Sequence, residues 1–275
     1  MTTLKALKSV GLFFVLIFVL SGCSKKPDVE QMLTDILSGD HRNPAYVERD
    51  KFRNPVETLL FFGVKPNQSL VEITPGFGWY TEIIGPFLNE EGVYYPASLE
   101  LHDDINPFFV KMDKAFGEKL EANKEVYGNA RWIKFMPSAP EFAPEFPVDM
   151  VLTFRNVHNW AKAGTAESMF EGFSKALKKG GVLGVVEHRA KPGTPLEEQI
   201  RSGYMTVDYV VQQAKNAGFR LDASSEINAN PKDTADHPGG VWNLQPSSRN
   251  IPEGLEESML AIGESDRMTL RFIKE

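Results

Sequence analysis

The residues with the clearest chemical potential form the heptad Glu72-Ile-Thr-Pro-Gly-Phe-Gly78. An acidic residue stands near the end of an apolar run, two glycines follow, and a helical stretch comes next. In open α/β sheets, ligands bind beyond the carboxyl ends of the strands. Glycines there let the backbone approach a ligand, and the following helix N-terminus attracts a carboxylate or phosphate. The alternative is an ordinary strand-to-helix turn in which the glycines only allow a tight bend.

A second polar group, Arg155-Asn-Val-His-Asn-Trp160, follows another apolar run and is expected to open onto the same crevice. Histidine has an ordinary pKa near 6.5 and is a natural base at neutral pH. His158 is therefore the first candidate for a catalytic base, with Asn156 orienting it and Trp160 forming a pocket wall. The alternative is that His158 packs structurally against the following helix.

A third polar group, Glu187-His188-Arg189, ends a later apolar run. Polar groups directly after a buried strand need solvent or a ligand. Arg189 is predicted to bind an anionic acceptor, and the alternative is a salt-bridged strand end.

These groups need an alternation of strands and helices to bring them together. Apolar runs with β-branched residues alternate with helical periodicity from Ser69 onward. The predicted strands are Ser69–Ile73, Val93–Leu99, Trp132–Met136, Asp149–Phe154, Val182–Glu187, Phe219–Ala223 and Arg267–Ile273. The predicted helices are Val29–Leu37, two within Ala45–Phe62 (the second from Pro55), Tyr80–Leu88, Pro107–Val126, Ala166–Leu177 and Val207–Ala217. This order predicts an α/β sheet covered on both faces.

One domain over residues 45–275 is the economical interpretation, with a polar insertion at about 224–266. Long loops inside compact domains tend to be functional lids or disordered. Trp242, in this insertion, is a candidate to close over the active site. Asp236 and His237 are compatible with a metal site, but no second ligand pair has a recognised spacing, so a turn is favoured and no metal is predicted.

Several motifs together resemble the class I S-adenosylmethionine (SAM)-dependent methyltransferases. The heptad from Glu72 and the Trp79-Tyr-Thr-Glu82 behind it resemble the family's motif I. The stretch Asp149–Trp160 resembles its fourth strand and the loop after it, and Ala176–Glu187 resembles the turn before its fifth strand. In particular, the chain is similar to a bacterial group of predicted methyltransferases with the phrases EIxPGxGWYTEI, FRNVHNW and GVVEHRA.

The resemblance implies a Rossmann-like, doubly wound, seven-stranded sheet, mostly parallel with one antiparallel late strand. It also implies SAM as cofactor and a small or amphiphilic methyl acceptor. Gly76 and Gly78 would form the turn that runs past the methionine part of SAM. Glu72 would lie under this turn or reach toward the amino group of SAM. Glu100, with Asp103 as second choice, would hold the ribose hydroxyls, because a carboxylate accepts two hydrogen bonds from a diol. The implied cofactor-binding set is Glu72, Thr74, Gly76, Gly78, Tyr80, Glu100, Ser138 (toward adenine) and Arg155, and the catalytic set is His158, Asn156 and Arg189.

The N-terminus is predicted to be a targeting signal. Lys5 and Lys8 precede a short apolar run, and Leu20-Ser-Gly-Cys23 resembles the lipobox of bacterial lipoproteins. The run is shorter than the roughly 20 residues of a membrane-spanning helix. We expect a signal peptide at 1–22, a lipidated Cys23 with a tether and short helix over 23–44, and a location at the cell envelope, on the periplasmic face of the outer membrane. The alternative is an uncleaved N-terminal anchor.

Composition narrows the remaining function classes. The net charge of −7 argues against sequence-blind nucleic-acid binding. A single cysteine rules out intramolecular disulfides and cysteine-rich zinc sites. Two alternatives stay open. The first is a non-catalytic ligand-binding lipoprotein that kept the methyltransferase fold, which is consistent with Thr74-Pro75 in place of the family's first glycine. The second, ranked last, is a hydrolase or metal enzyme that uses His158, His188 and His237.

Overall fold

The computed structural model describes residues 28–142 and 147–275. These residues form one seven-stranded sheet in the order β3-β2-β1-β4-β5-β7-β6. The strands are β1 (Ser69–Ile73), β2 (Val93–Leu99), β3 (Ile133–Phe135), β4 (Val148–Phe154), β5 (Leu177–His188), β6 (Phe219–Ser225) and β7 (Arg267–Lys274). The first five strands pair in parallel, and β7 lies antiparallel to both β5 and β6. The predicted fold class is confirmed.

Helices cover both faces of this sheet. Those described are α1 (Val29–Leu37), α2 (Pro44–Val47), α3 (Asp50–Arg53), α4 (Pro55–Phe62), α5 (Thr81–Leu88), α6 (Pro107–Ala122), α7 (Lys124–Tyr127), α8 (Val157–Ala163), α9 (Ala166–Ala176), α10 (Leu196–Ser202), α11 (Val207–Asn216) and α12 (Glu256–Ile262). A short 3₁₀ helix spans Gly240–Asn243. Among the described residues, no helix has the length and hydropathy needed to cross a bilayer.

Successive residues of each central strand enter opposite cores. On β1, Leu70 packs into one apolar cluster, whereas Val71 and Ile73 pack into the other. On β4, Val151 and Leu152 divide in the same way. Because both faces are buried, the strands read as continuous apolar runs in the sequence.

The structure differs from the prediction in several places. The predicted helix Pro107–Val126 is divided into α6 and α7, and α8 and α10 are not among the predicted helices. The region predicted as two helices over 45–62 holds three, because the part before Pro55 is divided at Glu48 and Arg49 into α2 and α3. The predicted break before Pro55 is present, with Asn54 at a left-handed φ of 40°. The predicted Lys178–Gly181 turn is a bulge within β5, since Val148 pairs with Leu177 but Met150 pairs with Val182. The predicted loop over 224–266 starts within β6 and contains the 3₁₀ helix and α12. The predicted signal peptide over 1–22 and the predicted lipidation site Cys23 lie outside the described residues.

Candidate active-site cleft

The candidate site lies where the strand order reverses between β1 and β4. The connections that follow two such strands go to opposite faces of the sheet and leave a crevice at the strands' carboxyl ends. The residue directly after each strand has a left-handed backbone: φ is 51° at Thr74 and 61° at Arg155. This conformation is costly for residues with a Cβ, most of all β-branched ones, and such strain concentrates at functional sites. Gly76 and Gly78, with φ of 67° and 84°, complete the turn after β1 without that cost.

The crevice is a cavity of about 450 Å³, within the range of small-molecule sites. One wall is the turn from Thr74 to Phe77, and the opposite wall is Phe154–Asn156 with Asn159. The remaining lining residues are Tyr46, Arg49, Arg53, Trp79, Phe108, Phe109, Met112, Pro246, Ser247 and Arg249. Aromatic rings and arginines therefore dominate its surface.

Glu264 pairs with three arginines that line the cleft, Arg49, Arg53 and Arg155, and with Arg267. We call these five residues the basic floor, although Glu264 and Arg267 do not themselves line the cavity. The buried Glu264 carboxylate accepts hydrogen bonds from Arg49 Nε at 2.7 Å and Arg53 Nε at 3.1 Å. Arg267 Nη2 lies 3.2 Å from it and Arg155 Nη1 lies 3.6 Å from it. These four arginines come from three separate regions of the chain, so only the folded chain brings them together.

The floor is short of negative charge. Burial alone would raise the pKa of Glu264, but the charges of Arg53, Arg267, Arg155 and Arg49 outweigh it and lower that pKa to about 2. Burial, followed by the repulsion of Arg155, holds the pKa of Arg53 well below its ordinary value despite Glu264. Burial likewise lowers the pKa of Arg155 to about 10.

Glu72 lies beneath the glycine turn and does not line the cleft. Its side chain is buried, and one carboxyl oxygen accepts hydrogen bonds from the Tyr94 hydroxyl and from Thr81 Oγ1 at 3.3 Å. Burial raises its pKa to about 7, against the lowering effect of these two hydrogen bonds and of Arg155. The role that the resemblance implies for Glu72 toward the cofactor stays a prediction.

Between the Thr74–Gly78 turn and the end of β2, side chains of α6 leave almost no free space. Gly76 also borders a gap of about 10 Å³ between Ser98–Leu101 and helix α6, which holds no more than a single water. Phe109 and Met112 of α6 occupy this region. Glu100 and Ser138 are exposed and line neither the gap nor the cleft.

His158 lies in a buried polar cluster behind the cleft wall. Its Nδ1 lies 3.0 Å from Glu187 Oε1, and His188 Nδ1 lies 2.6 Å from Ser265 Oγ. The ligand atoms of His158, Glu187 and His188 lie within 4.8 Å of one another, the one such group found in the described residues. Burial, followed by the repulsion of His158 and Arg155, holds the pKa of His188 well below its ordinary value, so this ring is neutral.

The structure brings only some of the predicted residues together. Thr74, Gly76, Arg155 and Asn156 line the cleft, and the Asn156 amide donates to the Ile73 carbonyl at 3.0 Å. His158 does not line it, although Trp242 of the insertion packs edge-on against its ring at 6.2 Å. The general-base role of His158 stays a prediction.

Three other predicted residues are engaged outside the cleft. Arg189 binds Asp266 through two nitrogens, at 2.8 and 2.9 Å, and also Glu226, which is the salt-bridged alternative. Tyr80 is buried and stacks on Phe154 at 3.6 Å. His237 Nε2 lies 2.8 Å from Asp233, whereas Asp236 pairs with Lys191.

Of the basic floor, only Arg155 is a site residue that the sequence predicts. The available signal was Arg49 and Arg53, four positions apart and therefore neighbours on a helical surface. Arg249 and Glu264 lie in the insertion, where nothing in the sequence connects them with the first helices.

Comparisons with known proteins identify the fold. Neither a protein-family model nor a curated protein sequence matches the chain. Solved structures do match: a SAM-dependent methyltransferase from Aquifex aeolicus is 18% identical with a TM-score of 0.51 over 74% of this chain and 94% of that one. The StiE O-MT is 15% identical with a TM-score of 0.53, covering 85% of this chain and 78% of that one. The glycopeptide N-methyltransferase MtfA is 14% identical with a TM-score of 0.51, over 82% and 91%. The chain has the Rossmann-like fold of these methyltransferases.

Proposed function

We propose that this protein is a SAM-dependent methyltransferase acting on a small or amphiphilic acceptor. The observation that carries the proposal is the cleft of about 450 Å³ at the switch point of this fold, bordered by Gly76 and by the strained Thr74 and Arg155. MtfA, which shares the fold, was crystallised with S-adenosylhomocysteine and with sinefungin. We propose the same cofactor class for this chain.

The residues present suit the methionine end of SAM. Gly76 exposes backbone at the cleft, and Asn156 and Arg155 face it from the opposite wall. When bound, SAM supplies an electrophilic methyl group. The chain's own contribution is alignment, because an in-line displacement gains most from holding two reactants in position. The cleft walls of Phe154, Trp79 and Tyr46 also exclude water from part of this space.

A second candidate function rests on the almost filled gap beside Gly76. Phe109 and Met112 occupy the side where the resemblance places the nucleoside part of SAM. A protein that kept the fold but binds another ligand in the main cleft would not need that space. Fold alone does not separate the two functions.

Calorimetric titration of the full chain, purified in detergent, with SAM and S-adenosylhomocysteine tests the proposal. We expect micromolar binding in the wild type and its loss in Gly76→Val, because a β-branched side chain at φ 67° is strained and fills the neck between cleft and gap.

Gly180→Val is the matched control for this substitution. Gly180 has φ of 76° and open space around it, but it lies in the β5 bulge, outside the cleft. The control therefore carries the same backbone strain and is expected to bind normally. Absence of binding in the wild type would favour the ligand-binding alternative, and normal binding by Gly76→Val would remove this turn from the site.

A further inference from the structure

We propose that the floor of the cleft binds an anionic group, a carboxylate or phosphate, carried by the acceptor. This rests on the proposed methyltransferase function and assigns a substrate class to it. The ligand recognised is an amphiphilic anion, with its acidic group on Arg49 and Arg53 and its apolar body against the aromatic mouth of the cleft.

The first support is the charge balance of the floor. Arg49, Arg53, Arg155 and Arg267 surround Glu264, which is the one carboxylate that forms ion pairs with them in the described part of the chain. Four guanidinium groups share this one ion-paired carboxylate, so positive charge is in excess there, although Asp50 and Glu72 also act on Arg53 and Arg155 at longer range. Buried charge without a partner is costly, so an incoming anion is stabilised there.

The second support is a pair of unused hydrogen-bond donors. Arg53 is only 2% exposed and lines the cleft, yet its Nη2 has no acceptor among the described residues. Arg49 Nη2 is buried without an acceptor as well. Guanidinium groups bind carboxylate and phosphate through two parallel hydrogen bonds. Two arginines that line the same cavity, each with a buried donor that has no acceptor among the described residues, provide what an anion site requires.

The third support is the apolar mouth above this floor. Phe77 is 36% exposed and Phe108 is 44% exposed, with their ring centroids 5.9 Å apart in an edge-to-face arrangement. The Arg249 guanidinium lies 5.9 Å from the Phe108 ring centroid. Exposed aromatic side chains beside a cavity favour a ligand with an apolar part. Charge at the bottom and rings at the opening match an amphiphile that enters with its acidic end first.

The acceptor is a better source of this anion than the cofactor. SAM carries a sulfonium and an ammonium against a single carboxylate, so its net charge adds to the positive charge of the floor. A second anionic molecule is needed to balance it. The two sources share the same chemistry at the arginines, and competition with the cofactor product separates them.

The test is calorimetric titration of the full chain in detergent with phenyl phosphate and phenylacetate, and with neutral phenylacetamide as the uncharged probe. We expect both anions to bind at least tenfold more tightly than phenylacetamide. Their affinity should fall as salt rises and drop at least tenfold in Arg53→Gln. Arg271→Gln is the matched control, because Arg271 also pairs with a carboxylate, Asp222, but lies outside the cleft.

A second variant keeps the test open if Arg53→Gln does not fold. Arg49→Gln affects a side chain that is 22% exposed, and the same loss of anion affinity is expected. Equal affinity for anions and phenylacetamide, or unchanged affinity in both variants, would overturn the anion site.

Repeating the titration with saturating S-adenosylhomocysteine shows whether the anionic group on the arginines belongs to the acceptor or to the cofactor. Retained anion affinity supports the acceptor, whereas a tenfold loss means that the arginines hold the cofactor's carboxylate and overturns that assignment. If S-adenosylhomocysteine itself does not bind but the anions do, the methyltransferase proposal fails while the anion site stands.

Discussion

At the scale of single residues, Glu72 is a buried carboxyl group with a raised pKa. It is a carboxyl group held in the core directly under the turn that borders the cleft. The Tyr94 hydroxyl and Thr81 satisfy one of its oxygens, but burial still dominates and raises its pKa to about 7. A protonated or shared carboxyl at this position fixes the end of β1, because Tyr94 on β2 is bound to it.

We predict that Glu72→Gln removes a pH dependence of stability. The folded-state pKa is raised, so the folded chain binds more protons than the unfolded chain between about pH 4.5 and 7. Its contribution to stability is present below pH 4.5 and is lost as pH rises through about 7. The raised pKa corresponds to roughly 3 kcal/mol.

Urea unfolding at pH 5 and pH 8.5 measures this effect. From pH 5 to pH 8.5, the free energy of unfolding of the wild type should fall by roughly 3 kcal/mol more than that of Glu72→Gln. Glu100→Gln, at an exposed position, is the control and should follow the wild type. Parallel pH profiles for wild type and Glu72→Gln would contradict a raised pKa.

Sequence reasoning at this scale reaches residues that share a local motif. Gly76, Arg155 and Asn156 follow strands that can be read from apolar runs, and a parallel sheet brings such strand ends to one edge. The anion floor depends instead on Arg53 meeting Glu264, 211 positions later in the chain. No local pattern contains that pairing.

At the scale of elements, the position of α4 against the sheet sets the geometry of the arginines. Phe62, near the end of α4, packs over Gly184 of β5. A Cβ at position 184 would lie 2.8 Å from the Phe62 ring and 2.4 Å from Leu152 Cδ2. Only the absence of a side chain lets α4 lie this close to the sheet. Because α3, which carries Arg53, leads directly into α4, a shift of α4 moves Arg53.

We predict that Gly184→Ala destabilises the protein by roughly 1–3 kcal/mol and weakens anion binding. The added methyl group forces Phe62 and Leu152 to move, and α4 moves with Phe62. Urea unfolding and titration with phenyl phosphate measure the two effects. Gly184→Ala combined with Phe62→Leu, which removes ring atoms at the contact, should recover part of both losses. If Gly184→Ala alone has wild-type stability and affinity, the position of α4 does not depend on this contact.

The elements themselves were largely predictable. Strands β1 and β2 and helix α1 have the predicted bounds, because apolar runs and helical periodicity report burial directly. The insertion was not predictable as structure. Its polar residues are ordered by long-range contacts, such as the Asn230 amide donating to the Glu264 carbonyl and the Asp233 carboxylate accepting from Tyr204. Such contacts exist only once the sheet has formed.

At the scale of the whole molecule, charge is distributed unevenly. The chain has a net charge of −7, yet four arginines, Arg49, Arg53, Arg155 and Arg249, line its candidate active-site cleft. A cleft with charge of one sign focuses the electric field and attracts ligands of the opposite sign. An acidic molecule with a basic cleft therefore selects anions at one place and repels them elsewhere.

The last prediction concerns attachment to the membrane. We propose that Cys23 carries a lipid anchor, which is also consistent with an amphiphilic acceptor. Cys23 precedes Val29, where α1 begins, by six positions, so an extended chain between them reaches about 22 Å at most. Such a short tether would hold the domain near the lipid surface.

Cells fed radiolabelled palmitate test this proposal. We expect the wild-type protein to be labelled, to be found in the membrane fraction and to have the mass of a lipidated chain that begins at Cys23. Cys23→Ser should be unlabelled and keep residues 1–22, whereas Ser24→Ala should be labelled like the wild type. An unlabelled wild type that retains residues 1–22 would instead establish the uncleaved N-terminal anchor.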